Sequence, residues 1–285
     1  MNSSFDNNLT EPMKQLVNRV ESFTEKPIVF GVEDTLAIPA KVSMARGNKP
    51  NHVISIGPQY KHDMDAIQYL VAHECCHILR RFGVEPQERL VIQKTGKMKY
   101  IAISEMRDDY LSSPMGAKHI NLPDIEIRLM GILANEYESM VRAVFTRTQD
   151  LPVEKWICDE YPELLDSQIK VLEEELEMLV EIPIEKRMFR RFFVASKAMD
   201  YAFFKVAATW MGLDGDAIIR PFLKYSDVRS KGEELVLITK NNPLGNYEDD
   251  IRLVDEWARL LKIRHWFEFV PFSEAADDDA GDLYL

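Results

Sequence analysis

The stretch His73-Glu74-Cys75-Cys76-His77 constrains this chain more than any other, because it sets two imidazoles and a carboxylate in the middle of an apolar run. Asp65 with Gln68 three residues on matches a capping box, and Gly83 after Arg80, Arg81 and Phe82 reads as a helix stop. The motif is therefore expected mid-helix. Residues four apart on a helix lie one above the other, so His73 and His77 present two nitrogen ligands to one metal ion. Zinc suits them, since it accepts imidazole, tolerates tetrahedral geometry with an open position and keeps one redox state. Glu74 follows His73 by about 100° around the helix, where it can reach a water at the metal without binding the metal. It is the expected general base for hydrolysis of a peptide bond, with zinc lowering the water pKa towards ~7 and polarising the carbonyl.

A catalytic zinc needs a third protein ligand. Glu105, Asp108, Asp109, His119, Glu136 and Glu138 lie downstream, and helical phase separates them. Glu136 has Leu129, Ile132, Leu133, Met140 and Ala143 at helical spacing, which aims its carboxylate at an apolar face where an uncompensated charge is costly. Glu138 shares its face with Ala134, Asn135 and Arg142, a more ordinary setting. Glu136 is the expected ligand, its alternative role being an ion pair with a residue such as Arg142. Tyr100, Tyr110, Tyr137 and His119 are candidates to stabilise an oxyanion, and nothing in the sequence chooses among them.

HExxH on one helix followed by a Glu on a later helix resembles the zincin metallopeptidases, specifically the glutamate-liganded gluzincin branch. Asn135-Glu136 is similar to the Asn-Glu of thermolysin-like members, and Glu136-Tyr137-Glu138-Ser139 resembles the Glu-x-Glu-Ala segment of ImmA/IrrE-type intracellular metallopeptidases. Both comparisons imply His73, His77 and Glu136 as zinc ligands, and His52 to Ile56 as the edge strand that holds an extended peptide. The resemblance spans residues 28 to 148. Arg80 stands where the metzincin branch needs Gly, which excludes that branch, and Met140 stands where thermolysin-like enzymes carry an acidic residue. The 59 positions from His77 to Glu136 call for an insertion relative to compact gluzincins.

Elsewhere the texture is mixed. An opening amphipathic helix is expected from Leu9 to Thr24. Short β-rich runs follow at 28–32, 41–45 and 52–56, the last two flanking a turn-rich stretch as a hairpin. Leu90 to Ile92 and Met98 to Ile103 bracket Lys94-Thr95-Gly96-Lys97 as a second hairpin. Pro123 opens a helix running to about Thr148, and beyond Asp150 the pattern is helical, with breaks at Pro162 and Pro183. These features predict an α+β fold in two parts: residues 1–150 with a small, mainly antiparallel sheet and the HExxH helix, and residues 151–285 mainly helical, with an acidic tail from Ser273 to Asp282.

A formal net charge of -12 argues against nucleic-acid or anionic-membrane partners, leaving a peptide or protein as the expected substrate. Arg187, Arg190 and Arg191 interleave with Phe189, Phe192 and Phe193, but these aromatics continue a helical stripe through Phe203 and Trp210 and read as core. No apolar run reaches the roughly 18 residues of a bilayer span and the start is polar, so a cytoplasmic protein is expected. The three cysteines Cys75, Cys76 and Cys158 make no disulfide framework, and Cys75 and Cys76 read as buried fillers. His52, His62 and His265 read as surface or loop residues. The competing view is a metal-bound module acting by interaction rather than catalysis.

Overall fold

The computed structural model describes residues 8–47, 49–113, 123–180, 190–275 and 283–284. Helix α1 (Glu11–Thr24) buries Met13, Leu16 and Val20, spaced three and four apart, and packs on α2 (Met64–Phe82). Between them in the chain come β1 (Ile28–Val32), β2 (Ala40–Ser43) and β3 (His52–Ile56), which form a sheet with β3 between the other two. The expected hairpin is present, Ala40 pairing with Ile56 and Ser43 with Val53 in antiparallel register. β1, however, runs parallel to β3, with Ile28 opposite His52 and Val32 opposite Ile56. The sheet is thus mixed, with one parallel pairing beside the antiparallel hairpin. The segment after β1 crosses the end of β3, where Glu33 N donates to Ile56 O and Gly57 N to Pro39 O, so β3 enters between two strands that precede it. The two-residue β6 (Leu283–Tyr284) adds antiparallel to the free edge of β2.

The second expected hairpin does not form. β4 (Leu90–Gln93) pairs antiparallel with β5 (Glu268–Pro271) instead, and Met98 to Ile103 lie inside α3 (Gly96–Leu111). Thr95 caps that helix by accepting from Met98 N, and Ala102, Ile103, Met106 and Tyr110 bury one face. The helical spacing of Ala102, Met106 and Tyr110 is what the six residues of the run do not show by themselves.

The long helix α4 (Pro123–Glu160) continues twelve residues beyond the expected end near Thr148, carrying Pro152 within it. The division expected near residue 150 therefore falls inside one helix. Every residue from Val144 to Glu154 is buried, so this part of α4 is sheathed on all sides, packing against α2, α6 (Arg190–Trp210) and α8 (Tyr247–Leu260). α5 (Leu165–Val180) also touches α2, and α7 (Ser226–Asn241) lies tightly against α6. A Cβ on Gly232 of α7 would come within 2.3 Å of the Tyr201 ring, so glycine permits that approach. Phe192, Phe193, Met199, Phe203 and Val206 are core, as their periodicity predicts; Arg187 and Phe189 lie outside the described residues. The acidic tail lies largely outside them too. Among the described residues no helix is long and apolar enough to cross a membrane.

His52 departs from its expected surface position. It is fully buried, with Nδ1 accepting from Ala45 N at 3.1 Å and Nε2 3.1 Å from Thr24 Oγ1. His62 and His265 are exposed, His265 Nε2 lying 2.7 Å from Glu105.

Candidate metal centre

Asp63 caps α2, its side chain accepting from Ala66 N at 3.0 Å, two residues ahead of the expected cap. Gln68 is turned to α1 instead, accepting from Thr10 N and Thr10 Oγ1 at 3.0 Å each. From Ala66 to Ile78 every residue of α2 is buried, including Cys75 and Cys76, whose thiols burial pushes well above the ordinary cysteine range. The motif thus sits in the protein interior, with His73 and Glu74 at 0% and His77 at 3% exposure. Isolated charges there are unfavourable by several kcal/mol, so the polar groups need compensation.

The compensation comes from α4. Asp150, 1% exposed, brings Oδ1 to 3.1 Å from His77 Nε2 and 3.6 Å from His73 Nε2, and the two Nε2 atoms are 2.9 Å apart. A tetrahedral zinc with bonds of ~2.0 Å holds its ligand atoms ~3.3 Å from one another, close to the dimensions of this triangle. Neither oxygen of Asp150 has an aligned hydrogen-bond partner among the described residues, so proximity rather than hydrogen bonding relates it to the imidazoles. His73, His77 and Asp150 therefore form a buried group that could hold a metal ion.

One turn further along α4, Glu154 braces the same histidine from behind. Its Oε1 lies 2.9 Å from His73 Nδ1, a contact of charge and distance whose N–H direction falls short of an aligned hydrogen bond. Tyr69 hydroxyl donates to Oε1 at 2.8 Å and Gln168 Nε2 to Oε2 at 2.6 Å. A carboxylate behind Nδ1 favours the tautomer that leaves Nε2 free for a metal. Burial resists protonation of His73, yet Asp150 and Glu154 outweigh it and hold the imidazole up to about 10. His77 is held down to about 4, by burial first and then by the charge of His73, against the pull of Asp150. Burial also works against ionisation of Asp150, but the two histidines keep its carboxyl below the ordinary range. A divalent cation bound here would compete with protons for the imidazoles.

The structure brings Asp150, rather than the expected Glu136, together with His73 and His77. Glu136 is half-buried fourteen residues earlier on α4, ~21 Å along the axis at 1.5 Å per residue. The buried stripe there runs through Leu129, Leu133, Tyr137 and Met140, one position around the helix from Glu136. Glu138 pairs with Lys94 at 2.6 Å and Lys99 at 3.1 Å, and Glu105 accepts from Trp266 Nε1 at 3.1 Å. Asp108 is exposed and Asp109 half-buried, while His119 lies outside the described residues. Of the oxyanion candidates, Tyr100 is 73% exposed, Tyr110 is buried, and Tyr137 hydroxyl donates to Trp266 O at 3.0 Å.

The sequence carried a signal for Asp150 and Glu154. Asp150 closes a polar run, Arg147-Thr148-Gln149-Asp150, flanked by the apolar Val144, Phe145, Leu151 and Val153, and Glu154 stands four residues further on, on the same helical face. Arg147 itself is buried against Glu175 at 2.6 Å and Asp200 at 3.5 Å. Comparison of the chain with protein-family models, curated proteins and solved structures finds no match.

Proposed function

We propose that this chain is a zinc-dependent hydrolase of peptide bonds, with His73, His77 and Asp150 holding the metal and Glu74 acting as general base. The observation that carries the reading is the triangle of His73 Nε2, His77 Nε2 and Asp150 Oδ1 with sides of 2.9, 3.1 and 3.6 Å. Two imidazoles and one carboxylate are a donor set that zinc accepts in hydrolytic sites. When bound, zinc would supply Lewis acidity, making a water a better nucleophile and polarising a carbonyl. The chain's own residues do the rest. Glu154 and Tyr69 hold the His73 ring in place, and the buried walls of α2 and α4 fix the separation of the ligands. Glu74, one position from His73, accepts the proton of the attacking water and hands it to the leaving amine. The resemblance of His73 to His77 to the zincin motif supports a peptide as substrate.

One observation favours a second reading. His73, Glu74 and Asp150 are at most 1% exposed, and a fully enclosed metal centre stabilises a fold rather than meeting a substrate. Under it the chain is a metal-bound interaction module. Replacing Glu74 by Gln separates the two: hydrolysis of a denatured protein substrate should fall by about 100- to 10,000-fold with zinc retained, as loss of a general base implies. Equal activity in both forms, or none in the zinc-loaded wild type, would leave the second reading standing.

A further inference from the structure

Arg147 stands three residues before Asp150 on α4, so the two side chains rise from one helical face, where opposite charges ordinarily pair. Here they do not. Asp150 makes its ion contacts with His77 and His73, and the Arg147 guanidinium is drawn away to Glu175 of α5 at 2.6 Å and Asp200 of α6 at 3.5 Å. The rings of Phe203 and Phe204 seat that guanidinium, with centroids at 4.7 and 5.5 Å. Lys197 completes the cluster, its Nζ 3.1 Å from Asp200 and donating to Leu179 O at 2.8 Å. Glu175 and Asp200 thus balance Arg147 and Lys197, and the cluster is neutral without drawing on Asp150. Burial works against the charge on Arg147, yet Glu175 and Asp200, with Asp150 adding to them, hold its pKa above the ordinary range.

Stability alone does not account for this arrangement. Glu175 is buried and meets Arg147 through Oε1, while its Oε2 has no hydrogen-bond partner among the described residues. A buried acid satisfied on one side costs free energy that an apolar side chain of similar volume avoids. Asp150 likewise has no aligned hydrogen-bond donor among the described residues. A guanidinium released beside it would take both of its oxygens in a paired contact, because the planar fork matches a carboxylate. Those are the oxygens a metal ion at His73 and His77 would use.

We propose that Glu175 and Asp200 are positioning residues of the metal centre, which hold Arg147 aside so that the Asp150 carboxylate stays free for the cation. Arg147 is then a competitor of the metal for Asp150, kept from it by two acids on neighbouring helices. The proposal rests on the ligand set of His73, His77 and Asp150 proposed above, and not on the hydrolysis proposed there.

Two measurements on the full chain test it: Zn2+ affinity by competition with a chromophoric chelator, and the visible absorption of the Co2+-loaded protein, which reports the ligand set. Glu175→Gln, with Arg147 released, should bind Zn2+ about 10- to 100-fold more weakly, as loss of a group supporting a ligand does, and should change the Co2+ spectrum. Adding Arg147→Met removes the competitor and leaves Asp200 to Lys197, so the double variant should regain the wild-type spectrum and most of the lost affinity. A purely structural role would make the two replacements add, leaving the double variant at least as weak as the single one. Asp200→Asn, which keeps Glu175 on Arg147, should show a smaller loss and reads the same effect if Glu175→Gln fails to fold. Full affinity in the single variants that keep native far-UV circular dichroism, or no recovery in the folded double variant, would overturn this proposal alone. No metal bound by the wild type would overturn it together with the ligand set.

Discussion

Asp150 and Glu154 divide the work at the candidate metal centre: Asp150 lies where His73 and His77 converge, and Glu154 lies against His73 from its far side. Loss of Glu154 should weaken the site without abolishing it. For Glu154→Gln the expected outcome is a metal affinity lower by about 10- to 100-fold, measured by competition with a chromophoric chelator, because such outer carboxylates orient the ring and raise ligand basicity. An affinity equal to wild type would remove Glu154 from the site. His73 and His77 could be found from spacing alone, since the i, i+4 relation is local arithmetic on one helix. Asp150 is less legible, because it requires α4 to continue through Pro152, and proline ordinarily ends a helix because it lacks an N–H and crowds the preceding turn. Glu136 has apolar neighbours at helical spacing, yet the stripe that buries is centred one residue away, on Leu133 and Tyr137.

At the scale of elements, local pairings were readable and distant ones were not. The β2–β3 hairpin follows from two short runs around a turn, whereas β4 finds its partner in β5 near the other end of the described chain. His52 joins three elements, linking β3 to the end of α1 through Thr24 and to the segment after β2 through Ala45 N. Its acceptor role requires a neutral ring, and burial, aided by the charge of Lys26, holds its pKa down to about 4. With the folded value below the unfolded value of ~6.5, this histidine's contribution is complete above ~6.5 and is lost as pH falls through the folded value. The full difference is about 3 kcal/mol. Thermal unfolding at pH 7 and pH 4.5 should therefore show a smaller acid-induced drop in Tm for His52→Gln than for wild type. An equal drop would mean that His52 is not held neutral.

Across the whole molecule, α4 connects what the change in texture near residue 150 divides. It bears Asp150 and Glu154 for α2 while packing on α6 and α8, and Arg80 of α2 is clamped by Asp250 of α8 through contacts of 2.6 and 2.8 Å. All four tryptophans, Trp156, Trp210, Trp257 and Trp266, lie beyond position 150, whereas His73 and His77 lie before it. In a denaturant titration of the zinc-loaded protein, tryptophan fluorescence and metal release should therefore change together as one cooperative transition. Two separated transitions would identify independently folding halves.

The metal content of purified wild type, Asp150→Ala and Glu136→Ala tests the central claim most directly. One zinc per chain is expected in the wild type and in Glu136→Ala, and none in Asp150→Ala, each variant being checked for native far-UV circular dichroism. Zinc retained by Asp150→Ala, zinc lost from Glu136→Ala, or no zinc in the wild type would contradict a centre built from His73, His77 and Asp150.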